Sequence, residues 1–248
     1  STQGVSSAAS DVYKRQVITH GTDTLEETAY LLDLTIDISQ PIVITGAMRS
    51  SNEIGSDGLY NFISAIRVAT SLEASDKGVM VVFNDEIHTA RNVTKTHTSN
   101  INTFQSPNQG PLGILTKDRV QFYNRPYRQT VFPRIDESLN VPLIKAYMGM
   151  TKDVLEFYAQ QNVQGIIIEA LGQGNLPPSC LKGIESCVKK DIPIVLVSRS
   201  FNGIVSPVYD YEGGGFQLAE EGLIFSNGLN GPKAVSYTHL TLPTILLV

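Results

Sequence analysis

Two short polar stretches carry the side chains that could do chemistry. The first, "HGTDT", spans residues 20–24 and follows a β-branched pair, and the second, "VTKTHTS", spans residues 93–99. The second stretch places hydroxyl side chains on both sides of Lys95. A lysine held among hydroxyls and withdrawn from water could act as a base toward a threonine or a water molecule. A carboxylate such as Asp23 could orient that pair, so that threonine, lysine and aspartate share the work of a catalytic triad.

A simpler interpretation of each stretch stays open at this point. Thr24 followed three residues later by Glu27 fits the capping box that begins many helices. Asp23 would also be favoured near a helix N-terminus by the helix dipole. Capping gives no reason for Thr22 or His20, and residues 93–99 could equally form a solvated loop.

A third polar stretch, "GQGN", spans residues 172–175 and follows the apolar run "GIII". It lacks the third glycine of a dinucleotide-binding fingerprint. Its glycines would let backbone N–H groups and the Gln173 amide approach a small polar ligand, although a plain turn explains the stretch equally well.

The elements around these stretches predict an α/β fold. Short β-branched runs alternate with longer helical patterns, which is typical of helices packed on a parallel sheet. Predicted strands span residues 41–46, 78–84, 141–147, 163–170 and 192–198, and predicted helices span residues 25–35, 57–74, 151–161 and 178–190. The first and third stretches follow apolar runs, and the second belongs to a longer polar cluster (84–100) that follows the apolar run at residues 78–83. Ligands bind beyond the carboxyl ends of strands in such folds.

The alternation breaks over residues 101–140, which are rich in Pro, Asn, Gln and aromatic residues. We expect a short antiparallel excursion there, ending in a linker at residues 126–140. The sequence therefore predicts a parallel-sheet, three-layer N-terminal domain over residues 17–125 and a smaller α/β domain over residues 141–234.

The two ends of the chain have an unusual relation to each other. The segments "SSAASDVYKRQ" (6–16) and "VSYTHLTLPT" (235–244) can be encoded by opposite strands of one DNA that resembles a sequencing adapter. We therefore predict that residues 1–16 and 235–248 are adapter-derived, and we exclude them from fold reasoning. The apolar end is then no evidence for a membrane anchor, and either a cytoplasmic or an exported location stays open.

The composition argues against two classes of binding partner. The formal net charge is −5, without clusters of Lys or Arg, which disfavours nucleic acid and anionic membranes. Cys180 and Cys187 would lie about 10 Å apart along a helix, too far for a disulfide. We expect them to be two helix-packing thiols.

Five segments resemble, in order, the bacterial-type L-asparaginase family, also called asparaginase/glutaminase. They are "HGTDTLEETAYLLDL" (20–34), "GAMRSSNEIGSDGLYN" (46–61), "RNVTKTHTS" (91–99), "GQGN" (172–175) and "SNGLNGPKA" (226–234). The resemblance covers essentially all of residues 17–233. It implies hydrolysis of the L-asparagine side-chain amide to L-aspartate and ammonia, with no metal or organic cofactor.

The resemblance also implies roles for single residues. Thr22, Asp23 and Lys95 would form a Thr-Lys-Asp group, in which Asp23 also binds the α-ammonium of the substrate. Thr22 would activate water or polarise an acyl intermediate, with Lys95 modulating its proton. Gln173 would lie near the site of a neighbouring subunit, and Tyr209 is a further candidate for such a contact. The family implies a homotetramer built as a dimer of dimers.

Some family features are not found in the sequence. The TGGTI-like signature with its nucleophilic threonine is not recognisable, nor is a serine-plus-glutamine substrate contact, and no closing helix and strand are expected after Lys233. We therefore expect the parent to be an asparaginase and this chain, as a fragment, to be inactive.

Other functions remain as alternatives. A glutaminase-leaning amidohydrolase and a tRNA-dependent amidotransferase subunit share this chemistry, although the acidic balance disfavours the second. A non-catalytic protein that binds a small amino acid would also have two α/β lobes, but would not need a lysine among threonines.

Overall fold

The computed structural model describes residues 15–127, 130–132 and 138–245. The chain divides into two compact units, Ser1–Pro133 and Arg134–Val248. Among the described residues, no helix is long and apolar enough to cross a membrane.

A six-stranded mixed sheet forms the centre of the N-terminal unit. Its order is β1 (Gln16–Thr19), β2 (Ile42–Thr45), β3 (Val79–Phe83), β4 (Glu86–Thr89), β7 (Gly113–Leu115) and β8 (Val120–Phe122). The first three strands are parallel, and the remaining pairings are antiparallel. A separate antiparallel ribbon consists of β5 (Thr94–Lys95) and β6 (Phe104–Gln105).

The predicted α/β class is confirmed, and β7 and β8 lie in the segment where we expected a short antiparallel excursion, but β4 was not predicted and also runs antiparallel. The reversal occurs between β3 and β4, where Asn84 and Asp85 have φ angles of 48° and 65°. Two successive residues with positive φ make the kind of tight turn that joins antiparallel strands. This two-residue connection leaves no room for the crossover that a parallel neighbour needs.

Two helices cover opposite faces of this sheet. Helix α1 (Leu25–Thr35) packs on the face that carries Ile42 and Ile44, and helix α2 (Gly58–Thr70) packs on the face that carries Val43. Successive strand side chains point to opposite faces, so a continuous apolar run supplies both layers. The predicted three layers are therefore confirmed. A short 3₁₀ helix, Leu72–Ala74, follows α2.

The C-terminal unit contains a four-stranded parallel sheet. Its order is β12 (Ile224–Phe225), β11 (Ile194–Ser198), β10 (Ile166–Ala170) and β9 (Leu143–Lys145). The helices are α3 (Asp153–Gln160), α4 (Leu181–Val188), α5 (Gly215–Glu220) and α6 (Gly231–Ile245), with a 3₁₀ turn at Pro178–Cys180. The short elements α5 and β12 were not predicted, because two to six residues are too few to show a clear periodicity.

Both cysteines are buried and unbonded to each other, as expected for helix-packing thiols. The Sγ atom of Cys180 lies 3.4 Å from the carbonyl oxygen of Met150, and that of Cys187 lies 3.6 Å from the carbonyl oxygen of Leu155. Burial raises the pKa of both thiols. Raised thiol pKa values in apolar surroundings are typical of unreactive, structural cysteines.

Helix α6 extends well beyond Lys233, so the expectation that no helix follows that residue is wrong. Its residues Ala234 and Leu242 are buried against Ile167 and Val197 of the parallel sheet. These contacts cover one apolar face of the parallel sheet. The adapter origin of residues 235–248 stays a prediction.

Candidate active site

The "HGTDT" stretch lies at the carboxyl end of β1. The backbone N–H of His20 donates to the carbonyl oxygen of Thr45 at 2.9 Å, which continues the pairing of β1 with β2 by one residue. The chain then turns through Gly21 and enters α1 at Leu25. Thr22 and Asp23 therefore lie between a strand end and a helix start, where α/β folds bind ligands.

The helix start differs from the predicted capping box. Thr24 occupies the N-cap position with φ −118° and ψ 14°, and its side chain makes no capping hydrogen bond. Its backbone carbonyl accepts hydrogen bonds from the N–H groups of Glu27 at 3.2 Å and Thr28 at 3.0 Å. An N-cap hydroxyl works from an extended backbone, which Thr24 does not adopt. The hydroxyl half of the predicted box is therefore wrong.

The ammonium group of Lys95 joins the two polar stretches. Its Nζ donates to Thr22 Oγ1 at 3.0 Å and to Asp23 Oδ1 at 3.0 Å. The Lys95 side chain is 18% exposed, whereas the Asp23 side chain is 97% exposed. Lys95 is thus held inside the protein surface, and the Asp23 carboxylate remains open to a ligand. The structure brings together the three residues that the resemblance grouped.

The β5–β6 ribbon holds Lys95 in place from behind. Lys95 pairs with Phe104, and the Phe104 ring lies 4.4 Å, centroid to centroid, from the Phe83 ring on the main sheet. Beyond the ribbon, the backbone N–H of Thr96 donates to the carbonyl oxygen of Thr103 at 2.8 Å. Residues 93–95 therefore do not form the solvated loop of the alternative interpretation, whereas residues 96–99 are exposed and lie outside any strand.

Glu26 is a contact of Lys95 that the sequence analysis did not single out. Its Oε1 accepts the backbone N–H of Lys95 at 3.0 Å and the Thr94 hydroxyl at 3.2 Å. Glu26 belongs to the first turn of α1, and the sequence pattern explains acidic residues there by the helix dipole. No local signal separates a dipole-compensating glutamate from one that binds a distant strand.

The turn after β2 lies next to Thr22. A Cβ atom at Gly46 would lie 2.4 Å from the His20 carbonyl oxygen and 3.5 Å from Thr22 Cγ2. The Asp57 carboxylate accepts the backbone N–H groups of Met48 at 3.0 Å and Arg49 at 2.9 Å. This carboxylate therefore holds the turn that contacts the "HGTDT" stretch.

The other two predicted site residues belong to the C-terminal unit. Gln173 is exposed after β10, between Gly172 and Gly174, whose φ angles of 52° and 114° favour glycine. Tyr209 is 46% exposed, and its ring lies 5.9 Å, centroid to centroid, from the Tyr211 ring. Their roles toward a neighbouring subunit stay predictions.

Comparison with known proteins identifies the family. The family described as "Asparaginase, N-terminal" matches residues 2–128, and the "Glutaminase/Asparaginase C-terminal domain" matches residues 140–244. This chain belongs to the asparaginase family. Both matches include parts of the end segments that we predict to be adapter-derived, and the origin of those segments stays a prediction.

Three curated relatives of this asparaginase-family chain illustrate the similarity. It is 36% identical over 222 residues to an L-asparaginase of Bacillus licheniformis, covering 90% of this chain and 69% of the relative. It is 40% identical over 232 residues to L-asparaginase 2 of Bacillus subtilis, covering 91% and 60%. It is 39% identical over 224 residues to a probable L-asparaginase of Deinococcus radiodurans, covering 88% and 67%. The chain therefore spans 60 to 69% of the length of these relatives.

Proposed function

We propose that the parent of this chain hydrolyses the side-chain amide of L-asparagine to L-aspartate and ammonia, and that this chain, in which no TGGTI-like signature is recognisable, is itself inactive. The observation that carries the proposal is the contact of Lys95 Nζ with both Thr22 Oγ1 and Asp23 Oδ1, each at 3.0 Å. Relatives that are 36 to 40% identical are named L-asparaginases, which supports the same substrate class. No second function is supported by a specific feature of the described residues.

Lys95 and Thr22 would handle the protons of the reaction. Water oxygen bonds to the amide carbon, the carbon–nitrogen bond breaks, and ammonia leaves with a proton that came from water. The incoming water passes a proton to Thr22 Oγ1 while the Thr22 hydroxyl proton moves to the Lys95 amine, and Lys95 then passes a proton to the leaving nitrogen. A side chain that moves a proton in this way contributes roughly 10² to 10⁴-fold to a rate.

Asp23 would bind the substrate by its amino end. One carboxylate oxygen accepts from Lys95, and the side chain is 97% exposed, so the carboxylate can also accept from the α-ammonium of asparagine. Such a charge-assisted bond is stronger than a neutral one. It distinguishes a free amino acid from a simple amide.

Gln173 and Tyr209 would complete the site of a neighbouring copy. Both side chains are open to contact, Gln173 being exposed and Tyr209 being 46% exposed. We propose that the protein assembles from several copies as a dimer of dimers, in line with the family resemblance. An exposed apolar face on α2, formed by Leu59, Phe62, Ile63 and Ile66, supports assembly independently of the resemblance.

The test is an assay of ammonia released from L-asparagine and from L-glutamine. It is done on this chain and on the parent protein, which is expressed from the genomic gene without the predicted adapter segments. We expect turnover by the second protein, with a loss of about 10² to 10⁴-fold in kcat for Thr22→Ala and Lys95→Met. Lys152→Met is the matched control, because that lysine lies in the C-terminal unit and pairs with Glu156 at 2.7 Å.

The assay also separates the alternatives. Tight binding of asparagine without ammonia release would favour the amino-acid binding protein. Faster release from glutamine would favour the glutaminase. Full activity in both Thr22→Ala and Lys95→Met would overturn the assigned roles, and turnover by the 248-residue chain itself would overturn the expectation that it is inactive.

A further inference from the structure

We infer that Glu26 is a positioning residue that sets where the Lys95 ammonium lies. Glu26 holds the backbone of β5 against the first turn of α1, the helix that Thr22 and Asp23 immediately precede. The consequence for catalysis rests on the proposed function, whereas the positioning itself can be tested without any turnover.

The geometry links the two sides of the site through one carboxylate. Glu26 Oε1 accepts the Lys95 N–H at 3.0 Å and the Thr94 hydroxyl at 3.2 Å. Glu26 lies three residues after Asp23, so one short segment contacts both the backbone and the side chain of Lys95. The Lys95 ammonium and backbone N–H are therefore bound by neighbouring parts of the same helix start.

Lys95 needs such support because its own element is minimal. Strand β5 has two residues and pairs with a second strand of two residues, outside the six-stranded sheet. Two-stranded ribbons are marginally stable on their own in water, and packing of Phe104 on the main sheet holds this one without fixing the strand β5 on its other side. The lysine side chain is itself a flexible four-carbon stem, so a fixed backbone reduces the number of positions that Nζ can adopt and favours the one that makes both 3.0 Å contacts.

A carboxylate suits this contact better than a neutral acceptor. A charged acceptor makes a shorter and stronger bond to a backbone N–H than an amide does. In metal sites, mutation of a residue that orients a ligand side chain typically lowers metal affinity or activity about 10 to 100-fold. We expect a loss of activity of about that size when Glu26 no longer orients Lys95. Glu26→Gln keeps an oxygen acceptor of the same reach, while Glu26→Ala keeps none.

The first experiment observes Lys95 directly in the full chain labelled with ¹⁵N-lysine. The ammonium cross-peak of Lys95 is assigned by its disappearance in Lys95→Met. We expect this cross-peak to move to the position of exposed lysines, or to broaden away, in Glu26→Ala, and to stay close to its original position in Glu26→Gln. Glu27→Ala is the control, since it removes an acidic residue from the same helical turn without removing the described contact to β5.

A Lys95 cross-peak that is unchanged in Glu26→Ala would overturn the inference. An equal shift in Glu27→Ala would also overturn it, because loss of α1 stability would then explain the effect. If Glu26→Ala does not fold, the backbone amide proton of Lys95 is compared between the wild type and Glu26→Gln. Loss of the charged acceptor must move this amide proton upfield, and an unchanged amide shift would overturn the inference.

The second experiment measures the kinetics of ammonia release by the parent protein, expressed from the genomic gene. We expect Glu26→Ala to lower kcat about 10 to 100-fold with a smaller change in KM, and Glu26→Gln to recover most of the loss. A change confined to KM would overturn the role assigned here. If no variant and no wild type releases ammonia, the proposed function fails, and the Lys95 cross-peak still decides the positioning.

Discussion

At the scale of single residues, the site depends on how differently its two charged partners are exposed. The Lys95 side chain is 18% exposed and the Asp23 side chain is 97% exposed, although their charged atoms are 3.0 Å apart. An ion pair with one fully exposed partner contributes little to stability. The contact is therefore better explained by what it does for a ligand than by what it does for the fold.

Glu221, unlike the exposed Asp23, has a partly buried carboxylate, and burial disfavours its charged form. It follows α5, its Oε1 accepts Gln217 Nε2 at 3.2 Å, and its Oε2 is buried without a hydrogen-bond partner among the described residues. Burial, and then the nearby charge of Glu185, raise the pKa of Glu221, while the Gln217 hydrogen bond opposes them. The folded pKa lies above the unfolded one, so ionisation destabilises the fold as pH rises through the folded pKa.

We predict that Glu221→Gln stabilises the protein at pH 7 by on the order of 1 kcal/mol, because it removes a buried, partly unpaired charge. The gain should shrink as the pH is lowered toward the carboxyl's ordinary value, where the wild-type carboxyl is protonated. Urea unfolding at both pH values measures the difference. Glu220→Gln, on an exposed neighbour, is the control for removing one negative charge from this part of the chain. An equal effect of Glu221→Gln at both pH values would contradict the argument.

At the scale of elements, the site is built where β1 and β2 end side by side. The N–H of His20 donates to the carbonyl of Thr45, and the next residue of β2's connection, Gly46, lies against the His20 carbonyl. Asn61 of α2 donates to the Gly46 carbonyl at 3.0 Å and to Asp57 at 2.9 Å. A helix on one face of the sheet thus fixes the turn that supports Thr22.

We predict that Gly46→Ala separates these strand ends. The added Cβ would lie 2.4 Å from a backbone oxygen, which cannot rotate away. Overpacking of this kind costs about 1 to 3 kcal/mol, measured by urea unfolding. Gly21→Ala is the matched control, because nothing lies within 4 Å of its new Cβ. Equal stability of the two variants would show that the strand ends have more freedom than their distances indicate.

At the scale of the whole molecule, helix α2 presents an unusual outer face. Leu59, Phe62, Ile63 and Ile66 follow helical spacing and are 72%, 40%, 50% and 40% exposed. The charged residue of α2, Arg67, donates to the Thr116 carbonyl at 2.6 Å, near β7, rather than breaking up this stripe. Contiguous exposed apolar patches mark contacts with other proteins. The family resemblance predicts that the partner is another copy of this chain.

We predict that Ile63→Glu weakens self-association, because a charge in the apolar stripe must be desolvated on contact. Ile54→Glu is the matched control, since that isoleucine is fully exposed in a loop outside α2. Sedimentation velocity on the wild type should show more than one copy, with a shift to smaller species only for Ile63→Glu. A monomeric wild type, or an equal shift in both variants, would show that α2 is not such a contact.

Much of the fold followed from local pattern. Helix α1 was predicted at residues 25–35 and spans Leu25–Thr35, and β2, β3, β9, β10 and β11 lie within predicted strands. Strands buried on both faces give continuous β-branched runs, which are easy to recognise. Strand β4 was not recognised, because it contains Glu86 and the buried His88, whose Nδ1 lies 2.9 Å from Ser106 Oγ. A buried polar residue whose hydrogen bond goes to a distant partner has no local signature.

The sequence by itself determined which residue types were available for the site and, through the resemblance, that Thr22, Asp23 and Lys95 belong together. Only the tertiary structure decided how they meet, because Lys95 lies 73 positions after Thr22 and no local propensity acts over that distance. The structure also shows that Glu26 accepts a hydrogen bond from the backbone of β5 and that the Thr24 hydroxyl does not cap α1. Hydrogen bonds of this kind depend on how α1 and the β5–β6 ribbon pack, and packing is a property of the folded chain.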